Sequence, residues 1–378
     1  MPEREPRLDP CPPAARGVAP HPGHPPATLD PHHDPFIVFY ETTRACDLAC
    51  RHCRASAMRR PQPGELDRDA ARRLVERLAD FDREPIVVFT GGDPMKRDDL
   101  IELVALADAL DLKPSLAPAA TPLVSDDALV SLRDAGLRRV AISLDGPDAA
   151  SHEALRRIPG SFDESLAAIA RCREAGLGVQ VNTTVTRHNF DRLPELADVV
   201  EAMGAGMWSV FFLVPVGRGL RETRIAPGRY EAAFALLYEV SRHRPFAVKT
   251  TEAPFYRRYV LQRGGDPQLG PARAPLGIND GKGVMFIAHD GTIQPSGFLD
   301  LPCGRFPDDD VVETYRRHPT FTALRDPDAI KGKCGRCEFR KVCGGSRARA
   351  YALTGDPLAE EPDCLYQPTI HRRLVPMN

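Results

Sequence analysis

Residues 36–53 read FIVFYETTRACDLACRHC and decide the fold. The β-branched and aromatic run Phe36–Glu41 predicts a strand. A loop follows its carboxyl end and carries Cys46, Cys50 and Cys53 in C-x3-C-x2-C spacing. Parallel sheets place their ligand sites at such strand ends. Three thiolates leave one coordination position of a metal centre open, and an open position suits catalysis. The motif therefore favours a [4Fe–4S] cluster with one exposed iron.

Other interpretations of this motif remain open on spacing alone. The cysteines could bind a zinc ion completed by His52 or by a distant residue, they could include a redox thiol pair, or the spacing could be accidental. Seven of the ten cysteines fall into two tight groups about 280 residues apart, which is unlike paired disulfides and typical of metal or iron–sulfur ligation.

Strand and helix patterns alternate after the first strand. The predicted strands are Phe36–Glu41, Pro85–Thr90, Lys113–Ala117, Arg138–Leu144, Gly178–Val185 and Met207–Leu213. The predicted helices are Asp67–Phe81, Asp98–Leu110, Ser125–Ala135, Ser161–Ala175, Leu193–Met203 and Gly228–Arg242. Six such units imply an α/β fold with parallel strands, either an open doubly wound sheet or a partial barrel.

The flanking regions predict four segments. Residues 1–34 are rich in Pro and His and predict a disordered tail. The barrel core is expected at 35–220 and a helical and linker segment at 221–283, with the alternation ending near residue 244. GVMFIAHDGTIQ at 283–294 predicts a hairpin around Asp290-Gly291, which opens a small C-terminal domain at 284–378.

The second cysteine group has C-x2-C-x5-C-x20-C spacing. Four thiolates make a closed ligand set, suited to an auxiliary [4Fe–4S] cluster or to a structural zinc ion. The group consists of Cys334, Cys337, Cys343 and Cys364. Of the remaining cysteines, Cys172 lies in a helical pattern and is expected to be a buried small apolar residue.

Charge and hydropathy exclude several functions. Lys plus Arg total 50 and Asp plus Glu total 52, interleaved along the chain, which argues against a nucleic-acid partner. The longest apolar stretch, residues 207–216, is too short for a membrane span. A secretory signal pattern is absent from the N-terminus, so a cytoplasmic location is expected.

The cysteine loop and four later elements, in order, resemble the radical S-adenosylmethionine (SAM) superfamily. Gly91-Gly92-Asp93-Pro94 resembles its GGEP element, whose backbone meets the SAM amine, with Asp in place of the usual Glu. The resemblance implies further SAM contacts by His52, Ser143, Asp145 and Arg156. It also implies a polar contact from the barrel by Asn182. It implies a partial (β/α)6 TIM-like barrel over residues 36 to about 215.

The C-terminal segment is similar to the SPASM domain or its shortened Twitch form, including CGG, RARA and GD signatures. Full SPASM domains carry seven cysteines for two auxiliary clusters. Here Arg347 stands where the next cysteine is expected, and only Cys303 is available near the hairpin. The resemblance therefore implies one auxiliary cluster, with Cys303 free or a minor participant.

The resemblance implies reductive cleavage of SAM to a 5′-deoxyadenosyl radical that takes hydrogen from a substrate, with electrons from a flavodoxin or ferredoxin. The haem and haem d1 synthesis enzymes, which oxidise propionates of iron porphyrinoids, are most similar. Peptide maturation and a non-catalytic metal scaffold are the alternatives. Arg218, Lys249, Arg257 and Arg258 are candidates to bind substrate carboxylates. The sequence assigns no catalytic acid or base.

Overall fold

The computed structural model describes residues 30–221, 223–265 and 277–369. Most of the predicted tail, residues 1–29 with Cys11, lies outside this range. Residues 30–34 form a turn against the C-terminal part of the chain, which the tail prediction did not anticipate. Tyr315 Oη donates to Pro31 O at 2.7 Å and Arg325 Nη1 donates to His32 O at 2.7 Å.

One sheet of ten strands organises the described chain, in the order β10-β9-β8-β1-β2-β3-β4-β5-β6-β7. Strands β1 to β7 run parallel, and β8 joins the other side of β1, also parallel. The strands are β1 Ile37–Glu41, β2 Ile86–Thr90, β3 Ser115–Leu116, β4 Arg139–Ser143, β5 Gly178–Val185, β6 Met207–Phe212, β7 Ala247–Thr251, β8 Val284–Ile287, β9 Thr292–Gln294 and β10 Gly304–Arg305.

The connecting helices begin where the sequence provides caps. Asp67 accepts a hydrogen bond from Ala70 N, and Ser125 accepts one from Ala128 N. The helices are α1 Arg68–Leu78, α2 Leu100–Ala109, α3 Asp126–Asp134, α4 Ala149–Arg156, α5 Ser161–Glu174, α6 Leu193–Ala202, α7 Tyr230–His243, α8 Phe255–Gln262, α9 Val311–Arg317, α10 Pro319–Arg325, α11 Gly332–Gly335 and α12 Arg347–Thr354.

The expectation that the alternation ends near residue 244 is wrong. Helix α7 is followed by β7, which pairs with β6 from Met207↔Ala247 to Phe211↔Thr251. The strand reads AVKTT and is half-buried throughout, so it lacks the apolar run by which the earlier strands are recognised. The strand–helix alternation thus extends to a seventh unit, completed by α8.

The predicted hairpin forms and extends the same sheet. Strand β8 pairs with β1 from Ile37↔Val284 to Tyr40↔Ile287, and β9 returns antiparallel to β8. The largest hydrophobic cluster of the described residues runs from Val38 to Phe321 and includes fully buried Trp208 and Cys172. No helix in the described ranges is long and apolar enough to cross a membrane.

Candidate active site

The three cysteines after β1 lie in a loop at the mouth of the partial barrel. Cys46 and Cys50 are buried and Cys53 is half-buried. Backbone N–H groups of Leu48 and Ala57 donate to the sulfurs of Cys46 and Cys53, each at 3.4 Å. All three cysteines face a cavity of about 610 Å³ that extends into the barrel. This volume lies within the range of small-molecule sites.

The Gly91-Gly92 pair packs directly against the cysteine loop. Gly92 N donates to Thr43 O, and Asp93 N donates to Ala45 O, both at 2.7 Å. A Cβ atom on Gly92 would stand 2.4 Å from Ala45 O, which is impossible without movement of the backbone. Glycine is therefore required here because two backbone segments touch. Both glycines line the cavity beside the cysteines.

Asp93 itself points away from the cavity. Its carboxylate accepts hydrogen bonds from Met95 N at 3.1 Å, Ala119 N at 3.3 Å and Thr121 Oγ1 at 3.1 Å. Burial raises its pKa to about 6, although these hydrogen bonds oppose the shift. The side chain therefore ties the loop after β2 to the loop after β3. Neither Asp93 nor Pro94 lines the cavity.

A buried network joins the end of β4 to the cysteine loop. Arg156 Nη2 lies 2.6 Å from Asp145 Oδ2, and Arg156 Nη1 donates to Cys50 Sγ at 3.4 Å. Burial opposes ionisation of Asp145, but Arg156 and then His52 hold its pKa below the usual range. His52 Nε2 lies 3.6 Å from Asp145 Oδ2, and burial lowers the pKa of His52 to about 4.

This network separates the predicted contacts into two groups. His52 and Arg156 line the cavity, whereas Asp145 lies behind them and does not. Thr184 N donates to Asp145 Oδ1 at 2.7 Å and fixes the carboxylate against β5. Among the described residues, no group of three or more His, Cys, Asp or Glu side chains that includes His52 could hold a metal ion, so the zinc interpretation with His52 as fourth ligand is not supported.

Ser143 and Asn182 lie level with each other inside the barrel. They are register partners on β4 and β5, and both line the cavity. Gln180 Nε2 donates to Asn182 Oδ1 at 2.7 Å and fixes the amide of Asn182. The structure therefore brings polar side chains from two strands to the same space as the three cysteines.

The second cysteine group forms its own enclosure. Its four sulfur-bearing residues line a small pocket of about 20 Å³ together with Phe255 and Tyr366. Glu361 N donates to Cys334 Sγ at 3.2 Å and Gly345 N to Cys343 Sγ at 3.4 Å. Arg347 is buried and its Nη1 donates to the carbonyls of residues 357 and 359, so it shapes the loop next to the cysteines.

Neither cysteine group is arranged as a single-ion site. In residues 30–221, 223–265 and 277–369, no three His, Cys, Asp or Glu side chains converge on a point that could hold one metal ion. Zinc would require sulfurs within about 4 Å of one another. Burial raises the pKa of Cys46 to about 12 and that of Cys364 to about 11. Such thiols become ligands only when a metal's positive charge favours the thiolate.

Comparison with known proteins identifies the family. The Radical SAM superfamily profile matches residues 40–200. An AdoMet-dependent heme synthase of Nitratidesulfovibrio vulgaris is 40% identical over 90% of this chain and 94% of its own length. The chain belongs to the radical SAM superfamily. A pre-heme d1 synthase of Dinoroseobacter shibae is 30% identical over 87% of this chain and 85% of its own length.

Solved radical SAM structures share the fold. Streptococcus suis SuiB bound to S-adenosylmethionine has a TM-score of 0.69 at 17% identity, covering 88% of this chain and 78% of that protein. The enzyme anSMEcpe with bound AdoMet has a TM-score of 0.65 at 17% identity, covering 86% and 93%. These structures show the TIM-like core, and membership of the radical SAM superfamily makes the protein an enzyme that uses a [4Fe–4S] cluster and SAM.

Of the four candidate carboxylate-binding residues, the radical SAM structure brings three to the cavity: Arg218, Lys249 and Arg257. Arg218 is engaged within the chain, because Nε donates to Cys50 O at 2.8 Å and Nη1 donates to Ala57 O at 2.9 Å. Arg258 instead faces the second cysteine pocket, where it forms an ion pair with Glu231.

The structure also reveals a carboxyl pair that no sequence motif marks. Glu252, directly after β7, lines the cavity with Asp280. Ser346 Oγ donates to Glu252 Oε2 at 2.5 Å, and Asp280 Oδ2 accepts from the N–H groups of Arg347 and Ala348. Burial and then Asp280 raise the pKa of Glu252 well above its usual value. The pair thus connects the cavity wall to the start of α12.

Proposed function

We propose that this enzyme oxidatively decarboxylates propionate side chains of an iron porphyrinoid in haem or haem d1 type synthesis. The observation that carries the proposal is the 40% identity to an AdoMet-dependent heme synthase across nearly the whole of both chains. The cavity supports it, since it joins the three-cysteine loop to a barrel interior that contains cationic side chains.

Cys46, Cys50 and Cys53 are the proposed ligands of the SAM-binding cluster. When bound, the cluster and SAM supply an electron transfer that yields a 5′-deoxyadenosyl radical able to take hydrogen from the substrate. The N–H groups of Leu48 and Ala57 and the guanidinium of Arg156 donate to the three sulfurs and stabilise their negative charge.

The proposed SAM contacts are the cavity-lining members of the predicted set. Since the N–H groups of Gly92 and Asp93 bond to the cysteine loop, the carbonyls of the glycine pair are the groups that could accept from the SAM amine. His52 is a neutral ring, because burial lowers its pKa to about 4, and it suits contact with adenine. Ser143 and Asn182 offer hydroxyl and amide groups at one level of the barrel.

Cys334, Cys337, Cys343 and Cys364 are the proposed ligands of one auxiliary [4Fe–4S] cluster. Arg257 Nη1 donates to Val342 O at 3.1 Å while its side chain lines the main cavity, so a single side chain spans the space between the cavity and this pocket. We assign the auxiliary cluster a role in electron transfer and in stabilising the C-terminal segment.

The residues 1–34, 35–220, 221–283 and 284–378 remain the proposed segments of the chain. The pairing of β8 with β1 means that the last segment begins inside the barrel sheet. A low-potential electron donor of the flavodoxin or ferredoxin type and a cytoplasmic, reducing location complete the proposal.

Turnover by the reconstituted enzyme tests this function. The protein is purified without oxygen, supplied with iron, sulfide, SAM and dithionite, and incubated with iron coproporphyrin III. Mass spectrometry should show 5′-deoxyadenosine together with porphyrin that has lost propionate carboxyl groups, and Cys50→Ala should form neither. Peptide maturation is the competing outcome, since a PqqA peptide cyclase of Rhodopseudomonas palustris is 28% identical over 90% of this chain. Unchanged porphyrin beside active SAM cleavage would contradict the porphyrinoid proposal.

A further inference from the structure

The cationic side chains that face the cavity differ in whether the protein neutralises them. Arg54 lies 3.2 Å from Glu41, and Arg156 lies 2.6 Å from Asp145. Arg218 donates to two backbone carbonyls of the cysteine loop. Arg54 and Arg156 are therefore neutralised by carboxylates, whereas Arg218 is fixed to the backbone near the cysteines by Nε and Nη1 and keeps a buried Nη2 without a hydrogen-bond partner.

Lys249 is different. It lies in the middle of β7 and lines the cavity, and no other residue of the described chain accepts a hydrogen bond from it or forms an ion pair with it. The pKa of Lys249 is lowered to about 8, first by burial and then by the nearby positive charges of Arg257 and Arg139. Lys249 is a half-buried cation without a counter-charge in the described chain, and an anion bound in the cavity would stabilise it.

Arg257 also has hydrogen-bond donors without a partner in the described chain. Its Nη1 bonds to Val342 O at 3.1 Å, which leaves Nε and Nη2 without a partner among the residues that the structure describes. The two carboxyl groups nearby form no ion pair with Lys249 or Arg257 in the described chain. Glu252 and Asp280 are directed to Ser346 and to the first N–H groups of α12.

The sheet register places Lys249 at the level of the proposed cofactor contacts. Ser143 pairs with Asn182, Asn182 with Ser209, and Ser209 with Lys249. Three strand spacings separate the ends of this row, a distance of about 14 Å between Cα atoms. A carboxylate held by Lys249 would therefore lie across the barrel from Ser143, facing the same space.

We propose that Lys249 and Arg257 form a subsite that binds a carboxylate side chain of the substrate. The inference rests on the proposed function for the identity of the substrate as a porphyrinoid with several propionates. The lysine supplies a point charge and the guanidinium supplies the remaining donors of a charge-assisted pair. The subsite orients the substrate by one propionate, so that another carboxylate side chain can approach the SAM side of the cavity.

The test compares binding by the reconstituted enzyme and its variants. Iron coproporphyrin III and the small dicarboxylate glutarate are titrated into wild type, Lys249→Met, Lys249→Arg and Arg257→Leu. Lys113→Met is the matched control, since Lys113 is exposed and precedes β3. We expect Lys249→Met and Arg257→Leu to weaken both ligands about 10- to 100-fold, Lys249→Arg to restore most of the affinity, and Lys113→Met to bind both ligands as wild type does.

The outcomes separate the subsite from the proposed function. Equal affinities in wild type and Lys249→Met would overturn the subsite, whether or not the porphyrin is turned over. Wild type that binds glutarate through Lys249 but neither binds nor converts the porphyrin would keep the subsite and overturn the proposed function. Wild type that binds neither ligand would overturn both.

Discussion

Arg156 and Asp145 form an ion pair of 2.6 Å between Nη2 and Oδ2, with the carboxylate wholly buried and the arginine side chain 12% exposed. Nη1 of the same arginine reaches Cys50 Sγ. The pair therefore connects the end of β4 to the cysteine loop.

Removing the acid of this pair should be strongly destabilising. Asp145→Asn leaves the buried Arg156 without its counter-charge, and we expect a loss of about 3–5 kcal/mol in the free energy of unfolding. Asp134→Asn is the control, because Asp134 is 63% exposed and pairs only with adjacent Arg133, so its effect should stay below about 1 kcal/mol. Denaturant titration of both variants measures the difference. Equal midpoints would show that the Asp145 pair does not stabilise the loop.

Gly92→Ala should damage the cofactor site through the backbone. The new methyl group would stand 2.4 Å from Ala45 O, so the glycine loop and the cysteine loop must separate. We expect at least tenfold weaker SAM binding by the reconstituted protein, measured by equilibrium dialysis. Gly228→Ala is matched to it, since a Cβ at Gly228 meets nothing within 4 Å. SAM binding by Gly92→Ala at the affinity of Gly228→Ala would show that the contact is not required.

Glu252 should make stability depend on pH. Burial and Asp280 raise its folded pKa, so the protein gives up stability as the pH rises above the unfolded value of about 4.3 and through the folded pKa. Glu252→Gln keeps the hydrogen bond from Ser346 and has no proton to lose. The variant should therefore melt above wild type at pH 9, with a smaller difference at pH 6.

Thermal melts at both pH values measure this effect. Glu239→Gln, at a side chain that is 62% exposed, is the control and should follow wild type. A constant difference between Glu252→Gln and wild type from pH 6 to pH 9 would mean that the pKa of Glu252 in the folded protein is not raised into this range.

Cys303 should be dispensable for both clusters. It is buried away from both cysteine sites, and its Sγ donates to Leu301 O at 3.3 Å. Iron and sulfide content should be unchanged in Cys303→Ala and should fall by about half in Cys343→Ala. A comparable loss of iron from Cys303→Ala would make Cys303 a cluster ligand.

The sequence predicts the elements of the barrel and the residues around its mouth, because periodic apolar strands and cysteine spacing are local signals. Strand β7 was not predicted, because Lys249 interrupts its short apolar run. A lysine fits in this strand because its side chain lines a cavity. Neighbouring residues on α8 also diverge. Arg257 faces the cavity whereas Arg258 pairs with Glu231, a division that depends on how the helix is rotated against the sheet.

The carboxyl pair shows a second limit. Glu252 and Asp280 are 28 positions apart, and each meets the other only because β7 and the segment before β8 converge on α12. Such contacts belong to tertiary packing and have no pattern in the sequence. Asp93 shows the same limit, since its carboxylate accepts hydrogen bonds from the loops after β2 and β3 and does not line the cavity.

The central claim is that one chain carries two iron–sulfur clusters in separate enclosures, one of them open to the barrel cavity. Iron and sulfide counts after anaerobic reconstitution test it most directly, for wild type and for the triple variant with Ala at residues 46, 50 and 53. We predict about eight irons per wild-type chain and about four in the variant, with SAM cleavage abolished. Zinc with little iron in wild type, or SAM cleavage retained by the variant, would contradict the account.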